Sequence, residues 1–123
     1  MSLTAWIILA SALKDANLAL KFVLELAAIA AFAYWGASLD GALVSVIVGI
    51  VAAASAAVLW GLFAAPRSSR RLPTRARVPF ELGVFALATG ALLAADWTAV
   101  AVAFALVVIV NAALLARLDQ WEQ

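Results

Sequence analysis

Four side chains interrupt segments that are otherwise almost free of polar groups: Lys21, Glu25, Glu81 and Asn111. A charge inside an apolar span is costly and as a rule faces a bundle interior or a watery cavity, so these residues are the first candidates for function. Lys21 and Glu25 are spaced i, i+4 and can pair on one helical face. With Glu81, Asn111 and the arginines Arg70, Arg71, Arg75 and Arg77, they offer two chemistries. One is a stapling network of ion pairs that holds helices in register. The other is a proton or solute path through the same carboxylates, and a charge turned toward another subunit is a third use.

Much other chemistry is excluded by what the chain lacks. It has no cysteine and no histidine. Thiolate and imidazole metal sites, haem ligation and Ser-His catalysis therefore have no ligands or bases to draw on. No paired-Asp motif or lipid-transferase signature is present, so no enzyme activity and no cofactor are expected. A net charge of +1 gives no reason to expect a nucleic acid partner.

The elements that must position these groups are membrane spans. Of 123 residues, 68% are hydrophobic and 12% charged, and the mean hydropathy is +1.13. A soluble domain carries about a quarter of its residues as charges, so the missing polar surface must be replaced by lipid. In hydrocarbon the backbone has to satisfy itself, which a helix of about 20 apolar residues does. No charge occurs between Gly41 and Pro66, which predicts a helix over 42–64. A second charge-free stretch predicts another over 97–116, with Asp96 or Thr98 as its cap. Segments 17–39 and 78–95 carry their charges toward one end. Asn17 or Asp15 suits the start of the first, and Pro79 the first turn of the other, where Glu81 would meet the positive end of the helix dipole. The expected fold is all-α, a single domain of four transmembrane helices over residues 1–123.

The connections sort by charge. Asp40 and Asp96 sit in tight turns, whereas 65–77 is an extended loop with Arg67, Arg70, Arg71, Arg75, Arg77 and two prolines. By the positive-inside rule this loop is cytoplasmic, and Lys14, Lys21 and Arg117 then fall on the same side, with both termini inside. The same arginines are also candidates for contact with anionic lipid headgroups or a partner. Residues 3–13 are apolar but too short to cross. Trp6, Leu9 and Leu13 recur at helical spacing, which suits a segment lying in the interface or extending helix 1 downward. Residues 118–123 read as a short polar tail with Trp121 near the headgroups.

Small residues at four-residue spacing, Gly49-Ala53-Ala57-Gly61 and Ala86-Gly90-Ala94, allow backbones to approach closely, within the chain or between copies. Trp35, Trp60 and Trp97, with Tyr34, fall near helix ends as an interfacial aromatic belt does. The stretch 24–30 around Glu25 echoes 80–86 around Glu81, each with its Glu near the cytoplasmic end, as in a parallel repeat.

Together Asn17-Leu18-Ala19-Leu20-Lys21-Phe22, Leu24-Glu25-Leu26-Ala27-Ala28, Tyr34-Trp35-Gly36, Trp60-Gly61, Ala65-Pro66-Arg67-Ser68, Arg71-Leu72 and Glu81-Leu82 resemble the YrdB-like family of small bacterial membrane proteins. The resemblance runs over about 17–117, with 1–13 as an addition. It implies a four-helix protein of the bacterial cytoplasmic membrane and carries no assigned activity. The expected function is a non-catalytic accessory or oligomeric membrane component in a bilayer with anionic headgroups, as a homo-oligomer or part of a larger complex. The alternative is a small-solute or ion transporter or channel using Lys21, Glu25 and Glu81.

Overall fold

The structure, a computed structural model, describes residues 2–122; Met1 and Gln123, the outermost residues of the two expected terminal segments, lie outside that range. Four helices account for nearly all of it: α1 (Leu3–Ala37), α2 (Ala42–Phe63), α3 (Thr74–Ala94) and α4 (Thr98–Arg117). All four are long and apolar enough to cross a membrane. Among the described residues there is no strand.

Three helix starts differ from the sequence reading. Helix α1 begins at Leu3, where the Ser2 hydroxyl accepts from the Ala5 N–H at 3.1 Å. Residues 3–13 are thus its first three turns, Asp15 and Asn17 are interior to it, and Asn17 is buried. Nothing in 3–17 breaks a helix, so the chain continues through the polar step at Lys14-Asp15. At 35 residues α1 is about 52 Å long, well beyond a hydrocarbon core of roughly 30 Å. Helix α3 begins at Thr74, so Arg75 and Arg77 belong to the helix and the arginine loop is shorter than expected. Pro79 lies in the second turn, where it removes one ladder bond. Glu81 is two turns from the helix start, too deep for the terminal dipole to hold it. Neither Asp96 nor Thr98 caps α4. The Ncap position is Trp97, without a side-chain bond, and Asp96 instead closes α3 with a left-handed backbone, φ 63°. The Trp97 N–H reaches the Leu92 carbonyl and the Asp96 N–H that of Leu93, a Schellman closure with aspartate in the usual glycine place.

Helix α1 is the axis of the fold. It packs against α2, α3 and α4, and α3 packs against α4. The buried faces recur every three or four residues: Leu24, Ala28 and Ala31 on α1; Phe85, Ala88 and Leu92 on α3; Ala101, Phe104 and Val108 on α4. Alanines dominate this core while most Leu, Ile and Val side chains point outward, as suits helices whose surroundings are as apolar as their contacts. Phe85 and Phe104 meet edge to face at 6.0 Å.

Helix α2 stands apart. Gly49 is its one buried residue among those described. A Cβ at Gly36 would lie 2.4 Å from the Gly49 Cα, so these two backbones are in direct contact, and the crossing needs glycine at 36. Farther along the small-residue stripes the space is open, since a Cβ at Gly61 or Gly90 would meet nothing within 4 Å. At the arginine end Phe63 and Phe80 touch edge to face at 5.9 Å, joining α2 to α3 below the gap that separates them.

Candidate functional site

The buried ionic groups gather where α1 and α3 face each other near the arginine end. On α1, Asn17, Lys21 and Glu25 follow one another at i, i+4, i+8 and so share a face; on α3, Arg77 and Glu81 do the same. Lys21 Nζ lies 2.8 Å from Glu81 Oε1 and 3.2 Å from Glu25 Oε1, bridging both carboxylates. Arg77 Nε stands 3.5 Å from the other Glu81 oxygen. Exposure is 3% for both Arg77 and Glu81 side chains, against 14% for Lys21 and 10% for Glu25. Two cations and two anions leave no net charge. Removing one partner from such a buried set leaves an uncompensated charge, at a cost of about 3–5 kcal/mol.

The pairing is tight in distance and incomplete in hydrogen bonding. The contacts of Lys21 and Arg77 Nε with the Glu81 oxygens are ion pairs not aligned as hydrogen bonds, and the buried indole N–H of Trp60 is turned to the Glu25 carboxylate. Trp60 and both glutamates line one small cavity, with room of about 20 Å³, enough for a single water.

Arg77 is held by more than Glu81. Its guanidinium donates to the Leu72 carbonyl at 3.1 Å and to the Trp121 carbonyl. The C-terminal segment, expected as a free polar tail, is therefore part of the site. A left-handed Asp119, φ 55°, turns the chain back at the end of α4, and the Gln120 N–H reaches the Leu115 carbonyl. The Trp121 ring then lies 5.5 Å from Lys21 Nζ, and Glu122 accepts from the Thr74 hydroxyl at 2.8 Å.

A second, uncharged network lies beside the first. Asn111 Nδ2 donates to the Asn17 side-chain oxygen at 2.8 Å and to its carbonyl at 3.0 Å. Asn17 Nδ2 donates to Gln120 Oε1 at 2.9 Å, and Gln120 Nε2 to the Lys14 carbonyl at 2.9 Å. These bonds tie α1, α4 and the returning tail together at a level where unsatisfied amides would be costly.

Of the residues singled out from sequence, Lys21, Glu25, Glu81 and Arg77 come together. Asn111 belongs to the neighbouring amide network. Arg71 is half-buried and donates to the Ala64 carbonyl at 3.2 Å; burial, and then the charge of Arg77, draw its guanidinium down from its usual value. Arg67, Arg70 and Arg75 are exposed and take no part in the ion-pair cluster. Sequence reasoning missed Gln120 and Thr74, placed Trp121 near the headgroups and not in the site, and gave Asn17 the wrong role as a cap. The signal available for Asn17 was its i, i+4 spacing to Lys21, which continues the polar face downward. Among the described residues, no group of three or more acidic side chains is arranged to hold a metal ion.

The profile of a family described as "Protein of unknown function (DUF2568)" matches residues 19–109. The chain belongs to this family. The match contains the whole ionic cluster of Lys21, Glu25, Arg77 and Glu81, and leaves Asn17, Asn111 and Gln120 outside. It lies within the stretch of the YrdB-like resemblance, but the YrdB-like name is no part of it and the family's description assigns no activity. No curated protein and no solved structure matches the chain.

Proposed function

We propose that this protein is a non-catalytic component of a bacterial cytoplasmic membrane, with both termini and the arginine loop inside, that works by packing with its own copies or within a larger membrane complex. The observation that supports this reading is the bridge from Lys21 to Glu25 and Glu81. A transport carboxylate needs water on both sides of it at some stage of its cycle. Here the two carboxylates share one cation, a second cation covers Glu81, and the adjoining space holds about one water. A neutral, nearly dry cluster of this kind fits a device that fixes helix register. The exposed face of α2 and the free stripes around Gly61 and Gly90 leave surface for other membrane helices. Arg67, Arg70 and Arg75, exposed beside the bundle, suit the anionic inner surface of such a membrane, whereas Arg77, expected with them, is buried in the ion-pair cluster.

Purification from native membranes in mild detergent tests this directly, together with Glu25→Ala in the purified protein. The expected results are a stoichiometric partner or a homo-oligomer, a clear loss of thermal stability in the variant, and no proton flux in liposomes carrying the wild type. Unchanged stability in the variant together with abolished flux would reverse the reading in favour of a transporter or channel.

A further inference from the structure

Three consecutive residues beyond α4 cross the arginine end of both ionic helices. Gln120 engages α1, its amide accepting from Asn17 Nδ2 and donating to the Lys14 carbonyl, each at 2.9 Å. Trp121 touches α1 and α3 together, with its ring 5.5 Å from Lys21 Nζ and its carbonyl accepting from the Arg77 guanidinium. Glu122 completes the crossing at the Thr74 hydroxyl, where α3 begins. Both cations of the ionic cluster thus touch a segment that belongs to neither of their helices. Gln120 is only 4% exposed, although it lies outside every helix.

The crossing is closely placed but held at few points. Beyond Gln120 it depends on one bond from Arg77 and one exposed bond to Thr74. Its direction is set by Asp119, which is exposed and left-handed, a conformation an aspartate adopts less readily than a glycine. The apolar core of Leu24, Phe85 and Phe104 is made by α1, α3 and α4 without it. A short segment with few buried apolar contacts opens at a lower free energy than such a core.

We propose that residues 118–122 form a strap that closes the ionic cluster to water at the arginine end, and that releasing it wets Lys21 while the four helices stay packed. With the strap in place the Lys21 side chain keeps 14% exposure beside the indole. On release the ring leaves that position, Arg77 loses an acceptor and the Asn17 amide loses Gln120, so water takes their places. Ion pairs weaken as the surrounding dielectric rises, so the position of the strap adjusts how firmly Lys21 ties α1 to α3. The strap lies outside the stretch 19–109 that matches the family, whereas the cluster it covers lies within it. The inference rests on the ionic staple proposed above. A strap that failed its test would leave that staple standing, because Glu25→Ala reports on the staple alone.

The chain supplies its own reference for the test, since its two lysines are the exposed Lys14 and the covered Lys21. Full-length protein in phosphatidylcholine nanodiscs, open to water on both faces, would be treated with the water-soluble acetylating reagent sulfo-N-hydroxysuccinimide acetate. Acetylation at each lysine would be followed by mass spectrometry, beside the unfolding midpoint of every variant. In the wild type Lys21 is expected to react at least about tenfold more slowly than Lys14. Gln120→Ala removes two hydrogen bonds from the strap and should speed Lys21 at least about tenfold, with Lys14 unchanged. Asp119→Val, an exposed change that resists the left-handed turn, should act in the same direction without touching the core, while Asp119→Gly should keep the wild-type protection. Lys21 reacting as fast as Lys14 in the wild type would overturn the proposal without any variant having to fold. So would a rise of less than about threefold in Asp119→Val, which would show that the helices shield Lys21 by themselves.

Discussion

The two ends of the bundle are held by opposite means. At the arginine end, ion pairs and amide hydrogen bonds join α1, α3, α4 and the folded-back tail. At the other end no charged side chain is buried among the described residues. Two glycines let α1 and α2 touch backbone to backbone, and Tyr34 stacks on Trp97 at 4.3 Å and 13°. The turns there are closed by the chain itself, with the Ser38 hydroxyl donating to the Trp35 carbonyl at 2.6 Å and Gly41 supplying a positive φ of 92°. Because lipid offers no hydrophobic drive for one helix to join another, specificity comes from close fit at one end and directional bonds at the other. The first kind fails when volume is added. The second fails when a partner is removed.

Substitutions separate the two modes. Glu81→Ala should have the largest effect, about 3–5 kcal/mol, because the 3%-exposed Arg77 would lose its carboxylate and the cluster would keep one uncompensated positive charge, Lys21 still pairing with Glu25. It would appear as a lowered unfolding midpoint in detergent, and a loss below about 1 kcal/mol would mean that the cluster is wetter than described. Gly36→Val follows. Its added atoms would collide with the α2 backbone, which cannot yield as a side chain can, and a destabilisation of about 1–3 kcal/mol is expected. That variant should part α2 from α1 while leaving the Tyr34–Trp97 side intact, so a cysteine cross-link between α1 and α2 should weaken more than one between α1 and α4. At the small extreme, Gly90→Ala should be neutral or stabilising by up to about 1 kcal/mol, since the added methyl meets nothing and the helix gains in propensity. A marked loss from Gly90→Ala, seen only at protein concentrations that favour oligomers, would assign that face to a second copy.

Much of the fold could be read from run lengths of uncharged residues alone, because hydrocarbon leaves a helix no alternative. The boundaries that went astray did so for identifiable reasons. Asn17 or Asp15 read as the start of the first helix, yet α1 runs through both; residues 3–13, read as an interfacial segment or a downward extension of helix 1, are the extension, since neither Lys14 nor Asp15 breaks a helix. Pro79 read as a start because proline favours first turns, but a proline one turn further in removes a single bond that the rest of α3 outweighs. The joining of Lys21, Glu25 and Glu81 was legible because charge in a span must find a partner. The share of Trp121 and Gln120 was not legible, since it depends on Asp119 and its left-handed turn, and an aspartate gives weaker notice of that conformation than a glycine would.

The claim on which the rest depends is that Lys21 and Glu81 stabilise the protein as a pair, and a double-mutant cycle measures it. Lys21→Met, Glu81→Gln and the double variant would be unfolded in the same detergent as the wild type. A coupling of at least about 1.5–3 kcal/mol, with the double variant less destabilised than the two single losses added together, is the expected result. Single losses that add within about 0.5 kcal/mol would show that the two groups act independently, and would contradict an ionic staple between α1 and α3.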